Sequence, residues 1–169
     1  RPIRSGVLDW ADRGAVWTWA GRRWAGLGGG VSIDREWRAE GVSIWRATEE
    51  ISDADVDTLI ERAGPEGVDV LVSHDAPVRP AGIKQLSDPV LAADCQRSND
   101  QIARAVDAVH PSLVLHGHLH HAHRTSVTRP WGTYDIVGLS SDEEAADAYG
   151  GPWVVLELPS LRVLARTEL

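Results

Sequence analysis

Residues 113–123 read LVLHGHLHHAH and hold five of the seven histidines: His116, His118, His120, His121 and His123. The apolar run Leu113 to Leu115 in front of them predicts a short buried strand. Gly117 is expected to give the backbone a turn that a residue with a Cβ would resist. His118 and His120 stand two positions apart. In an extended segment their side chains leave on one face; in a bent one they reach two neighbouring points. Neutral imidazoles crowded at the end of a buried strand are ligands for zinc, manganese or iron. The competing reading is a polar, solvated loop rich in histidine. Gly-His-x-His directly after a β-run favours the metal.

A second histidine follows a second buried strand. Val68 to Ser73 (VDVLVS) is expected to be extended and ends at His74-Asp75-Ala76-Pro77. Between the two strands the pattern turns helical. A short helix is predicted from Pro89 to Cys95, and another from a Ser98 N-cap with Gln101 closing a capping box. The second carries Ile102, Ala105, Val106 and Val109 on one face and stops before His110-Pro111. A strand–helix–strand crossover sets two parallel strands with their carboxyl ends on one edge, where open α/β sheets bind ligands. His74, His118 and His120 are thereby expected to converge. Asp75 either orients an imidazole or caps its own loop.

Upstream, Ala15 to Ala20 and Arg23 to Leu27 read as a hairpin. Gly28-Gly29-Gly30 then marks either a swerve of the backbone or a loop bordering a site. Ser52, with Asp55 three residues on, starts a helix that Gly64-Pro65 stops. Downstream the chain turns all-β: strands at Arg124 to Thr128 and Thr133 to Leu139, then a hairpin of Trp153 to Leu158 and Leu161 to Thr167. The sum is a single α/β domain over residues 1–169, in which βαβ units give way to antiparallel strands.

Composition sets the outer limits. At 169 residues, 43% hydrophobic and 25% charged, the chain is long enough to bury a core. A formal net charge of −8 argues against a broad nucleic-acid or anionic-membrane surface. A small phosphate-bearing substrate held by a local metal is compatible with it. The lone Cys95 excludes an internal disulfide and reads as a small buried residue. No apolar run has membrane-spanning length and no signal peptide is visible, so a cytoplasmic location is expected. There is no methionine and no phenylalanine, against eight tryptophans, and sixteen arginines to one lysine, a bias suggesting a GC-rich genome.

These pieces resemble the carboxyl-terminal half of calcineurin-like metallophosphoesterases. The matching stretches are LGGGVSIDR (27–35), VLVSHDAP (70–77), VLHGHLH (114–120) and WVVLEL (153–158). The resemblance implies a β-sandwich core flanked by helices, present here only in its carboxyl-terminal part. It also implies two divalent metal ions (Mn, Fe, Zn or Ni) at the strand ends. His74 and His118 would share one metal, and His120 would bind the other. In such enzymes the two metals polarise a phosphoryl group and hold a bridging hydroxide that attacks it.

The amino-terminal motifs of that family are absent. The chain has no Gly-Asp and no Asp-x-His, and its only asparagine, Asn99, has no histidine beside it. The carboxylate that bridges the metals and the general-acid histidine are therefore not in this sequence. The chain is expected to be a piece beginning after the third motif, completed by an amino-terminal polypeptide or by self-association through an exposed apolar face. The expected function is that of the carboxyl-terminal portion of a phosphate-ester hydrolase. The alternative is a degenerate, non-catalytic binding or regulatory module; a weaker third reading is a mononuclear metal-binding domain. His116 either faces substrate or packs at the strand end; Arg35 and Arg46 either hold substrate phosphate or are solvated surface arginines. His121 and His123 are expected to be solvated or hydrogen-bonded rather than ligating. His110 is expected at a helix carboxyl end.

Overall fold

The computed structural model describes residues 10–34, 47–83, 86–141 and 151–164. Strands β1 (Ala15–Trp19) and β2 (Arg22–Leu27) form the hairpin read from the sequence. Helix α1 (Asp53–Ala63) leads to β3 (Val70–Ser73), and helix α2 (Pro89–Val109) leads to β4 (Leu113–His116). Then come β5 (His123–Arg129), β6 (Gly132–Gly138), β7 (Val155–Glu157) and β8 (Arg162–Leu164). Six strands form one mixed sheet in the order β1-β2-β3-β4-β6-β5, and β7-β8 form a separate pair. Strands β2, β3, β4 and β6 are parallel; β1 and β5 run antiparallel along the two edges. The architecture is thus α/β, as expected.

Local chemistry explains the helix ends. Ser52 accepts from the Asp55 amide at 3.2 Å, and the Asp55 carboxylate takes the Ser52 amide at 2.9 Å. That reciprocal box satisfies two of the amides every helix start leaves orphaned. At the other helix, Asp88 accepts from the amides of Val90 and Leu91, and Pro89 occupies the first turn. His110 closes α2 in a left-handed conformation, with Pro111 after it. The sequence predicted two helices here, and the structure has one. Ser98 does not cap: its hydroxyl is drawn out of the helix to Asp75, and Gln101 reaches Asp53 instead. With Ser98 engaged elsewhere, nothing interrupts the backbone ladder between Cys95 and Ser98, and the helix runs through.

Period-2 alternation sorts the sheet into two faces. Ala25, Leu27, Leu71, Val114 and Ile136 meet Val56 and Leu59 of α1 and Ile102, Ala105 and Val106 of α2 in the main core. Trp24, Val70, Leu113 and Val137 point the other way, under Leu156, Val163 and the flanking Val154, Leu158 and Leu161. The β7-β8 pair covers only part of this second face. Val72 is 38% exposed on it, and Trp19, packed on Trp24 at 5.4 Å, is 58% exposed. Val72 of β3 and Trp17 and Trp19 of β1 are thus exposed apolar side chains on this face. Among the described residues no helix is long and apolar enough to cross a membrane.

Candidate metal centre

All four parallel strands end on one edge, and the backbone continues its pairing past them. The His74 amide donates to Leu27 O at 3.2 Å, the Gly117 amide to His74 O at 3.1 Å, and the Leu139 amide to His116 O at 2.8 Å. Four loops are thereby held side by side: the glycine run after β2, His74 after β3, the histidine tract after β4, and Leu139 after β6. This juxtaposition is what the crossover logic anticipated.

His74 and His118 meet there. His118 Nδ1 lies 3.1 Å from His74 Nε2, and the two rings are 4.7 Å apart between centroids. His118 Nε2 lies 3.2 Å from Val31 O. A carbonyl only accepts, so Nε2 carries the proton and Nδ1 presents a lone pair towards His74. Such a donated hydrogen bond is the usual way a protein fixes the tautomer of a ligating imidazole. His74 is exposed as a residue, and the partial burial of its ring, followed by the nearby His118, holds its pKa below the ordinary value. It is therefore neutral, as a metal ligand must be, near pH 7.

Gly30 makes the approach possible. A Cβ there would sit 3.3 Å from His74 Cδ2 and 3.4 Å from His118 Nε2. The glycine run thus lies against the His74 and His118 rings. The Gly30 amide donates to Glu49 O at 3.0 Å, and Arg13 braces that segment by donating to Glu49 O at 3.1 Å and Glu50 O at 2.8 Å.

The bend in the tract is not made by Gly117. A Cβ at Gly117 would meet nothing within 4 Å, and its backbone is not left-handed. The left-handed residues are His118 (φ 63°) and His120 (φ 49°). Histidine tolerates this region better than most side chains, at a cost of about 1–2 kcal/mol per residue. The segment is bent, so His118 and His120 leave in different directions. His118 turns in to His74. His120 is exposed, yet close enough to oppose protonation of His74.

Asp75 does not orient an imidazole through any hydrogen bond seen here; it ties down its loop. One carboxylate oxygen accepts from the Ala76 amide at 2.7 Å and the other from the Ser98 hydroxyl at 2.8 Å. Asn99 adds a bond to Ala76 O at 2.8 Å. Ser98 and Asn99 position the His74 loop from inside α2, a role the sequence did not reveal. Ser98 with Gln101 three residues on reads as an ordinary cap, and only the packing of α2 beneath the loop exposes the other role.

His116, a candidate to face substrate, is 2% exposed. Its Nε2 faces His123 Nε2 at 3.4 Å. Burial pushes its pKa down to about 4, with the Gly117 carbonyl opposing and His123 assisting. Arg35 and Arg46, and the rest of segment 35–46, lie outside the described residues. Among the described residues no group of three or more His, Cys, Asp or Glu side chains is arranged to hold a metal by itself. The chain supplies a prepared imidazole pair with His120 beside it. Its donor chemistry suits a divalent transition ion that draws its remaining ligands from elsewhere. No protein-family model and no curated protein sequence matches the chain.

Proposed function

We propose that this chain is the carboxyl-terminal portion of a metal-dependent phosphoesterase of the calcineurin-like type, completed by an amino-terminal polypeptide. The observation that carries the reading is the meeting of His74 Nε2 and His118 Nδ1 at 3.1 Å on the carboxyl edge of a parallel sheet. At 3.1 Å His74 Nε2–H donates to the bare His118 Nδ1, and a widening to about 3.3–3.4 Å with loss of that proton would seat both nitrogens on one tetrahedral ion. His120, exposed next to it, is the residue for a second ion, with Mn, Fe, Zn or Ni as candidates. When bound, two such ions polarise a phosphoryl group and lower the pKa of water.

The chain's own residues prepare that site. His118 is held in one tautomer by Val31, and His74 is kept neutral by its surroundings. Ser98 and Asp75 fix the loop that carries His74. Two needs remain, and one partner meets both. Asp75 is engaged by its own loop, so in this reading the bridging carboxylate belongs to the amino-terminal half. A second β-layer is needed over Val72, Trp17 and Trp19, which an amino-terminal half of a sandwich would provide. The substrate is a phosphate ester; the net charge of −8 disfavours long nucleic acids.

The test is release of phosphate from an aryl phosphate with added Mn²⁺. The chain would be assayed alone and with a polypeptide carrying the Asp-x-His, Gly-Asp and Gly-Asn-His motifs. Turnover is expected only in the mixture. A stable stoichiometric complex without turnover would favour the non-catalytic binding module instead.

A further inference from the structure

A second pair of imidazoles meets a few residues away, and its geometry has no use in the reading above. In the sheet register, Gly138 of β6 lies between His116 of β4 and His123 of β5. Strands two apart are separated by about 9–10 Å at the backbone. Side chains at such positions ordinarily meet the side chain between them and not each other. Here the intervening residue is glycine, and the two rings lean over it until their centroids are 5.0 Å apart. A Cβ on Gly138 would strike the His123 ring and come within 3.0 Å of His116 Nε2.

The hydrogen bonds fix the tautomers. His116 Nδ1 lies 3.0 Å from Gly117 O, and His123 Nδ1 lies 3.1 Å from His121 O. Both partners are carbonyls and can only accept, so both Nδ1 atoms carry protons. Both Nε2 atoms are then bare lone pairs, and they face each other at 3.4 Å. Two facing lone pairs repel unless a cation lies between them. A shared proton would place an imidazolium in a largely buried position, which low polarity disfavours. A metal ion fits better. Two imidazole nitrogens on one tetrahedral zinc, at metal–nitrogen distances of about 2.0–2.1 Å, are about 3.3–3.4 Å apart.

We propose that His116 Nε2 and His123 Nε2 form a separate binding site for an imidazole-preferring divalent ion such as zinc or cobalt, built across Gly138. The site is distinct from the His74–His118 pair and does not depend on the phosphoesterase reading. His123 is only half-buried, so the ion's remaining positions open towards solvent and take water or an oxygen ligand.

The experiment is a titration of the 169-residue chain with Co²⁺ alone, followed by its visible absorption, and with Zn²⁺ by competition against a chromophoric chelator. His123→Ala is expected to lose one equivalent relative to wild type and to lose the tetrahedral cobalt bands. Gly138→Ala keeps both histidines, displaces the His123 ring and is expected to lose the same equivalent. Near-UV circular dichroism of the tryptophans checks that each variant is folded. His118→Ala is expected to keep this equivalent, which separates the site from the other pair. Should wild type bind no metal, or should folded His123→Ala retain wild-type stoichiometry and affinity, the proposal is overturned. Loss of metal in His123→Ala but not in His118→Ala would support this site while removing the support for the His74–His118 ion.

Discussion

The burial of His116 has a consequence for acid stability that can be worked through. Folded His116 holds its proton only below about pH 4, because burial disfavours the charged ring. In the unfolded chain it titrates near 6.5, its ordinary value. Above that value both states are neutral and the stability is fully present. As pH falls below about 6.5 the unfolded chain takes up a proton the folded chain refuses, so stability declines until about pH 4 and then levels off. From pH 7 to pH 5 the loss is about 2 kcal/mol, and roughly 3 kcal/mol when titration is complete. The comparison is wild type against His116→Gln, which keeps a polar side chain and cannot titrate. Urea unfolding at fixed protein concentration, with a chelator present, is followed by fluorescence of the eight tryptophans at pH 7 and pH 5. The stability gap between wild type and His116→Gln is expected to move by about 2 kcal/mol against wild type. An unchanged gap at the two pH values would refute the claim that His116 is held neutral by burial.

Other expectations concern the loop, the glycine border and the open face. Asp75→Ala strands the Ala76 amide and the Ser98 hydroxyl, both buried, and is expected to cost about 2–3 kcal/mol, read from the urea midpoint. Gly30→Val introduces methyl groups where even a Cβ is 3.3 Å from the His74 ring, and should weaken Mn²⁺ binding about tenfold in the reconstituted complex while leaving the fold intact. Replacing Val72 and Trp19 with Ser is expected to weaken association with the complementary polypeptide, or with a second copy, in light scattering after size exclusion. A chain that is already a stable monomer, with no affinity for such a partner, would remove the need for a covering layer.

How much of this was legible in the sequence differs from residue to residue. Short strands bounded by turn chemistry announced themselves, and so did the Ser52–Asp55 box, because each depends on neighbours a few positions apart. The convergence of His74 with His118 followed from a topological rule about parallel strands, without any knowledge of packing. Ser98 was misread because its serine-plus-glutamine spacing is the same whether its hydroxyl caps a helix or reaches across to Asp75. The tract was misread at Gly117, since glycine is the usual bearer of a left-handed turn. Here His118 and His120 bear it, and their loop is set by pairing to His74 on one side and Leu139 on the other. The His116–His123 pair was invisible for a stricter reason. It depends on the register that places Gly138 between them, and a shift of one residue would send both rings elsewhere.

The central claim is that His74 and His118 hold a metal on which phosphoester hydrolysis depends. Mn²⁺-dependent phosphate release by the reconstituted complex, wild type against His118→Ala, tests it most directly. The expected result is turnover by wild type and none by a His118→Ala complex of the same stoichiometry. Equal turnover by the two, or none from a well-formed wild-type complex, would contradict it.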